Sequence, residues 1–287
     1  MKIQEQAPAK INLALNILGR RTDGYHELRM VMQSVSLCDT VTVEETGTGF
    51  TLLADGFTVP AGKSSLEQQA AEAFFAAVGR PMPPLTVHLE KTTPAYAGLG
   101  GGSADVAALL RCLRRQYAPE MPVEQLRAIG LTVGSDMPFC VSGGTALAEG
   151  RGERLTALPA LPDCWIVLCK PEFGIPTPAL FTLADAGTPK NRPDIDGMIR
   201  ALSAEDLNGV AARLCNVFEE FLPEEYHEVF HIKNRLLELG ALNAAMSGSG
   251  PTVFGIFREK TAAKAALTAL KQRYPQTYLA KPVGELV

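Results

Sequence analysis

The sequence has little that would direct it to nucleic acid or to a membrane. Its 287 residues contain 27 lysines and arginines against 31 aspartates and glutamates, which gives a net charge of −4. No run of basic residues is present that would attract a phosphate backbone. No stretch is apolar for long enough to span a bilayer, and the first 15 residues lack the continuous apolar segment of a signal peptide. We therefore expect a cytoplasmic protein that binds neither nucleic acid nor membranes.

Cysteine pairs of the CxxC type are also absent. The six cysteines are scattered along the chain, at positions 38, 112, 140, 164, 169 and 215. With no close pair to hold a metal and no export signal, we expect them to be reduced thiols in the core. The apolar fraction, 46% of the residues, is that of an ordinary globular protein with one or two domains.

Strand-like and helix-like segments are mixed along the chain without the regular rhythm of a parallel βαβ protein, which favours the α+β class. The main predicted strands cover residues 12–18, 29–37, 40–45 and 85–91, and the main predicted helices cover 66–78, 104–113 and 223–239. A turn-rich and proline-rich segment at 150–163 indicates a domain boundary. We predict domains at 1–158 and 159–287, with the last strand able to return to the first domain.

Glycine, in contrast, is concentrated in one place. Residues 94–109 read PAYAGLGGGSADVAAL, and four of the five residues from Gly98 to Gly102 are glycines. Ser103 is placed to cap the helix that the following residues favour. A glycine loop at a helix N-terminus presents free N–H groups and the positive end of the dipole, so this stretch predicts a phosphate site. The candidate phosphate-binding residues are Pro94, Ala95, Tyr96, Ala97, Gly98, Leu99, Gly100, Gly101, Gly102, Ser103 and Ala104.

Two common nucleotide motifs do not fit. Residues 56–64, GFTVPAGKS, have one residue too many for a P-loop and a proline inside it. A dinucleotide fingerprint that starts at Gly98 would need a third glycine where Ser103 stands, and no acidic residue follows at the expected distance.

The loop instead closely resembles the phosphate loop of the GHMP kinase superfamily, in the pattern Pro94–x3–Gly–Leu–Gly followed by Ser–Ala. Those enzymes transfer the γ-phosphoryl group of ATP to a small-molecule hydroxyl. Further segments carry the resemblance along nearly the whole chain: APAKINLALNILGRRTDGYHEL (7–28), GSDMPF (134–139), GIPTPALF (174–181) and AAMSGSGPTVFGIF (244–257). The resemblance implies a two-domain fold, with an N-terminal domain like ribosomal protein S5 domain 2 and a ferredoxin-like C-terminal domain.

The first of these segments resembles one branch of the superfamily, which phosphorylates the 2-hydroxyl of a cytidyl diphosphate sugar alcohol on the non-mevalonate route to isoprenoid precursors. Kinases of homoserine or mevalonate are the alternative, and a nucleotide-binding protein without activity is a third possibility. The resemblance implies ATP and Mg²⁺ as cofactors. It makes Asp136 the general base, Lys10 its partner and Ser103 a metal ligand. On the residues alone, Asp136 would be a turn former and Lys10 a surface lysine.

The resemblance also implies a substrate site. Tyr25 and Phe181 would stack on the two faces of the cytosine, and His26 would hydrogen-bond the edge of that base. The remaining substrate contacts would come from Asn12, Thr177, Ser247, Gly248, Ser249 and Gly250. The chain departs from the family where one serine is missing after the glycines, at Ala104, and where an asparagine is replaced by Ser65 near the adenine.

One motif indicates a different chemistry. Residues 227–231, HEVFH, match the HExxH helix of zinc proteases. The two histidines share the polar side of the predicted helix, and no third histidine follows. We therefore expect this match to be a coincidence, because a catalytic zinc needs a third protein ligand.

Overall fold

The computed structural model describes residues 2–54 and 64–287. The P-loop-like segment therefore lies outside the described residues, apart from Ser64. The strands are β1 (Lys2–Arg20), β2 (His26–Glu44), β3 (Phe50–Ala54), β4 (Leu85–Glu90), β5 (Thr145–Gly150), β6 (Arg154–Ala157), β7 (Trp165–Cys169), β8 (Cys215–Asn216), β9 (Asn243–Met246), β10 (Val253–Phe257) and β11 (Thr277–Ala280). The helices are α1 (Leu66–Ala77), α2 (Gly101–Tyr117), α3 (Val123–Leu131), α4 (Met137–Ser142), α5 (Thr177–Asp185), α6 (Ile195–Ser203), α7 (Leu207–Ala212), α8 (Glu228–Glu238) and α9 (Lys260–Lys271).

The first sheet is built around two long antiparallel strands. In the described residues it has seven strands, with the path β3-β4-β2-β1-β8, and β5 joins β2 to β6. The predicted strands at 29–37 and 40–45 form the single strand β2, because Cys38 and Asp39 keep the ladder going opposite Pro8 and Ala7. Along β1, alternation gives way to burial on both faces after Gln6, since helix α2 packs on one side of the sheet.

The second sheet is antiparallel and covered by helices. Its four strands in the described chain have the order β11-β7-β10-β9, and α8 and α9 pack against it. The predicted helix over 223–239 begins only at Glu228, because Pro223 opens a separate 3₁₀ turn. His227 precedes the helix and is exposed. The described residues hold no group of three His, Cys, Asp or Glu side chains close enough to bind a metal.

After β11 the chain returns to the first sheet. Pro282 forms a bridge with Val35 in β2, and the Val283 amide donates to the Ser34 carbonyl. Glu285 pairs with Gly143 directly after α4. The C-terminal segment therefore lies along the end of α4, which is the helix that follows Asp136.

The six cysteines are free thiols, four buried and two half-buried. Burial raises the pKa of Cys112, Cys140, Cys164 and Cys169 to about 12, so these groups stay protonated at neutral pH. Within residues 2–54 and 64–287, no helix has the length and apolar character that crossing a membrane requires.

Candidate active site

The glycine loop depends on a backbone contact that no larger residue permits. Gly98 has a φ of +72°, and a Cβ added there would lie 2.1 Å from the carbonyl oxygen of Ser247. Gly100 also has a positive φ, 68°, and a Cβ there would lie 3.0 Å from Cγ of Lys10. The two glycines are therefore required for different reasons: Gly98 for contact with the second loop, and Gly100 for contact with Lys10.

The predicted cap at Ser103 is wrong. Helix α2 begins at Gly101 and Gly100 occupies the capping position, without a side-chain hydrogen bond. The left-handed torsion of Gly100 starts the helix earlier than helix-forming propensity suggests. Ser103 consequently lies in the first turn, half-buried. Because no side chain caps them, the first amides of this 17-residue helix are left to bind an anion.

Lys10 is a buried residue beside this helix N-terminus. Its side chain is 6% exposed, which rules out the ordinary surface lysine. Its backbone amide donates to the Leu99 carbonyl at 2.9 Å, and its Nζ donates to Oδ1 of Asn12 at 2.9 Å. The Asn12 amide nitrogen lies 3.2 Å from Sδ of Met30. Strand β1 thus fixes the ammonium group directly beneath the glycine loop.

Asp136 faces Lys10 from a different element. It stands at the N-cap position of the short helix α4, which the sequence analysis did not predict, and its side chain makes no capping hydrogen bond. Its Oδ2 lies 3.6 Å from Nζ of Lys10, and its side chain is 35% exposed. A carboxylate that is open to solvent on one side and paired with a buried ammonium on the other can accept a proton from a ligand.

The loop of residues 247–250 closes the other side of Lys10. The Ser247 hydroxyl donates to the Gly98 carbonyl at 2.9 Å, and a Cβ at Gly248 would lie 3.1 Å from Nζ of Lys10. Asn216, which the sequence analysis missed, holds this loop by donating to the carbonyls of Met246 and Gly248, both at 2.8 Å. The sequence signal for Asn216 was only a lone asparagine between apolar residues.

The predicted substrate residues lie together, but with partners of their own. The hydroxyls of Thr177 and Ser249 are 2.6 Å apart. The His26 ring stacks on Phe181, with centroids 4.4 Å apart and planes inclined by 20°, and its Nε2 lies 2.7 Å from Oδ1 of Asp185.

Tyr25 is half exposed, and the Arg151 guanidinium covers its ring at 4.6 Å. The ring of Tyr25 is thus covered by Arg151, and His26 occupies one face of Phe181.

Known proteins resemble this chain along nearly its whole length. Residues 65–144 match the model of the GHMP kinase N-terminal domain, and residues 193–276 match that of the GHMP kinase C-terminal domain. A protein of Moorella thermoacetica named 4-diphosphocytidyl-2-C-methyl-D-erythritol kinase is 41% identical over 278 residues, which is 96% of this chain and 97% of that protein. The chain belongs to this kinase family, a branch of the GHMP kinases.

Solved structures support the same family assignment. A crystal structure of 4-(cytidine 5'-diphospho)-2C-methyl-D-erythritol kinase aligns with a TM-score of 0.82 at 32% identity, covering 98% of this chain and all of that one. Homoserine kinase from Cytophaga hutchinsonii aligns with a TM-score of 0.75 at 17% identity, covering 99% of this chain and 95% of that one, which shows the shared fold alone. The predicted two-domain GHMP kinase fold of class α+β is confirmed.

A buried charge cluster lies next to the glycine loop of the kinase. Lys91 contacts two carboxylates, with its Nζ 2.5 Å from Oδ2 of Asp39 and also bonded to Asp105. Oδ1 of Asp39 accepts the amides of Thr92 and Thr93 at 2.5 and 2.7 Å. Burial raises the pKa of Asp105 to about 7, against the attraction of Lys91. Two buried carboxylates that share one ammonium do not both ionise easily.

The contact at Gly98 predicts a large effect of one methyl group. We expect Gly98→Ala to lower the free energy of unfolding by about 1–3 kcal/mol, because of backbone strain, and to weaken ATP binding as the two loops separate. Gly240→Ala is the matched control, since Gly240 also has a positive φ and a Cβ there would meet nothing within 4 Å. Urea unfolding and calorimetric titration with an ATP analogue measure both effects. Equal behaviour of the two variants would contradict the loop contact.

The Asp105 cluster predicts a pH dependence of stability. The pKa of Asp105 rises from 3.8 to about 7 on folding, so the folded kinase binds more protons than the unfolded chain between these values. The contribution of Asp105 to the free energy of unfolding is fully present below the pKa of the unfolded chain and is lost as the pH rises through about 7. We expect the unfolding free energy of Asp105→Asn to decrease less with pH over that range than that of the wild-type protein. The control is Asp206→Asn, at an exposed side chain, whose unfolding free energy should decrease as much as that of the wild type. Parallel curves for wild type and Asp105→Asn would refute the shift.

Proposed function

We propose that this chain transfers the γ-phosphoryl group of ATP to the 2-hydroxyl of 4-diphosphocytidyl-2-C-methyl-D-erythritol. The observation that carries the proposal is the pair formed by Lys10 and Asp136, with 3.6 Å between Nζ and Oδ2, beside the uncapped N-terminus of α2. Phosphoryl transfer needs the protein chiefly to position the reactants and to stabilise charge. The N-terminus of α2 and the Lys10 ammonium can position the phosphates and stabilise their charge, and Asp136 supplies a carboxylate.

In the proposed mechanism the glycine loop binds the ATP phosphates. The first-turn amides of α2 and the helix dipole attract their negative charge. Lys10 offsets the charge that develops on the transferred group, because it is held in place by Asn12 and shielded from water. Asp136 accepts the proton of the attacking hydroxyl. The oxygen of that hydroxyl then forms the new bond to phosphorus as ADP leaves.

The donor set of the site is suited to a metal that arrives with the nucleotide. Mg²⁺ takes hard oxygen ligands and usually keeps water and phosphate oxygens around it. Ser103 supplies a half-buried hydroxyl in the first turn of α2, and the described residues form no acidic cage. We propose Ser103 as the protein's oxygen ligand. Bound Mg²⁺ would neutralise phosphate charge and orient the γ-phosphoryl group.

The cytidine end of the substrate would bind at the aromatic cluster. Stacking of a base on an aromatic ring is worth about 1–3 kcal/mol, and we propose that Tyr25 and Phe181 provide it. Since the His26 ring covers one face of Phe181, a cytosine that stacks on that face must displace His26. The freed imidazole can then hydrogen-bond the edge of the base. Remote binding of this kind aligns the distant hydroxyl for reaction.

The proposal also covers the domain boundary and the location of the enzyme. We place the boundary between the two domains at residues 158 and 159, so that ATP and substrate meet between them. We propose that the enzyme acts on small, charged substrates in the cytoplasm, without nucleic acid as a partner.

The test is the transfer of labelled phosphate. We expect purified protein with γ-labelled ATP to label 4-diphosphocytidyl-2-C-methyl-D-erythritol, and Asp136→Asn and Lys10→Met each to lower kcat by about 10²–10⁴-fold with little change in ATP affinity. Asp163→Asn, at a side chain that is 82% exposed, is the control. Label on homoserine or mevalonate instead would reject the substrate. Full turnover by Asp136→Asn would reject the base.

A further inference from the structure

Arg111 is a buried charge that the proposed mechanism does not use. It lies in the middle of α2 and is 5% exposed. Burial lowers its pKa. Its Nε has no hydrogen-bond partner in the described structure, and the carboxylate of Glu5 approaches this nitrogen only to 4.0 Å. A buried guanidinium without a close carboxylate costs solvation energy, which an apolar side chain at this position would not cost.

The guanidinium group joins three elements of the candidate site. Nη1 donates to the Cys140 carbonyl at 2.8 Å and to the Val141 carbonyl at 3.5 Å, both in α4. Nη2 donates to the Gln6 carbonyl in β1 at 2.7 Å. Arg111 itself belongs to α2. The three elements carry, in this order, Asp136, Lys10 and the phosphate loop.

Helix α4 depends on such contacts for its position. It has six residues, too few to be stable by themselves, and its last four carbonyls need hydrogen-bond donors from outside the helix. The Phe139 carbonyl accepts from the Gly143 amide, and the Ser142 carbonyl accepts from the Leu286 amide. The remaining two carbonyls, of Cys140 and Val141, are the ones that Arg111 satisfies.

A planar fork of donors suits this task better than any other side chain. It reaches carbonyls on two elements at once and fixes their direction as well as their distance. Lysine would bring a single ammonium group, and methionine would fill the space without any donor. The distance between Asp136 and Lys10 therefore follows from where Arg111 holds α4 against β1.

We propose that Arg111 is a positioning residue for phosphoryl transfer, which sets Asp136 relative to Lys10 and to the phosphate loop. This inference rests on the proposed function of that pair. A misplacement of about 1 Å costs up to about 10²-fold in rate, so we expect Arg111→Met to lower kcat by that order. The KM values for ATP and for the acceptor should change little, because α4 and β1 move relative to each other while the binding loops remain.

The experiment is a double-mutant cycle with Asp136→Asn, read as kcat. If Arg111 acts through Asp136, Arg111→Met lowers kcat in the wild-type background and has almost no effect in the Asp136→Asn background. The matched control is Arg114→Met, on the same helix, whose Nε donates to the Met121 carbonyl away from the site. It should lower stability without changing kcat. Arg111→Lys, which keeps the charge and loses the fork, provides the same test if Arg111→Met does not fold.

Two results would overturn the inference. One is an unchanged kcat in Arg111→Met or Arg111→Lys, and the other is an equal loss of kcat in both backgrounds, which would mean that Arg111 acts independently of Asp136. Failure of the proposed function gives a different result, since the wild-type protein would then not transfer phosphate to the cytidyl substrate, or Asp136→Asn would be fully active.

Discussion

The candidate site depends on the close approach of two backbone loops around Lys10. The carbonyl of Gly98 accepts the Ser247 hydroxyl, and the Ala97 carbonyl accepts the Thr252 amide, so the phosphate loop and the 247–250 loop hold each other. A side chain at Gly98 would occupy the space of the Ser247 carbonyl. Because the first loop precedes α2 and the second joins β9 to β10, this contact also connects the two sheets. The ammonium of Lys10 lies between the loops, and its side chain is 6% exposed.

Buried charges hold this arrangement in place from behind. Lys91 and its two carboxylates lie under the start of α2, where a Cβ at Gly101 would be 3.7 Å from the Lys91 ammonium. Arg111 lies further along the same helix and reaches α4 and β1. Both groups cost solvation energy that an apolar core would not, and both connect elements that carry site residues. The arrangement exchanges some stability for fixed positions of the groups that would bind phosphate and accept a proton.

Much of the site could be predicted because its residues stand in short motifs. The glycine cluster predicted a helix N-terminus with free amides. The family resemblance pointed to Lys10 and Asp136, which are 126 positions apart in sequence and lie next to each other in the fold. Prediction from the local sequence failed where contacts between distant segments determine the structure. Gly100 has a left-handed torsion, and α2 begins directly after it, before Ser103. Helix α4 escaped prediction because six residues are too few to show a helical period, and its last carbonyls are satisfied by Arg111 and Leu286. The stacking of His26 on Phe181, between segments far apart in sequence, was likewise not predicted.

The most direct measurement is a crystal structure of the protein with a non-hydrolysable ATP analogue and the cytidyl diphosphate substrate. The account predicts that the triphosphate lies on the amides of residues 100–103 and that the acceptor hydroxyl lies about 3 Å from the Asp136 carboxylate, the reach of a general base. A triphosphate bound elsewhere, or an acceptor hydroxyl beyond the reach of Asp136, would contradict it.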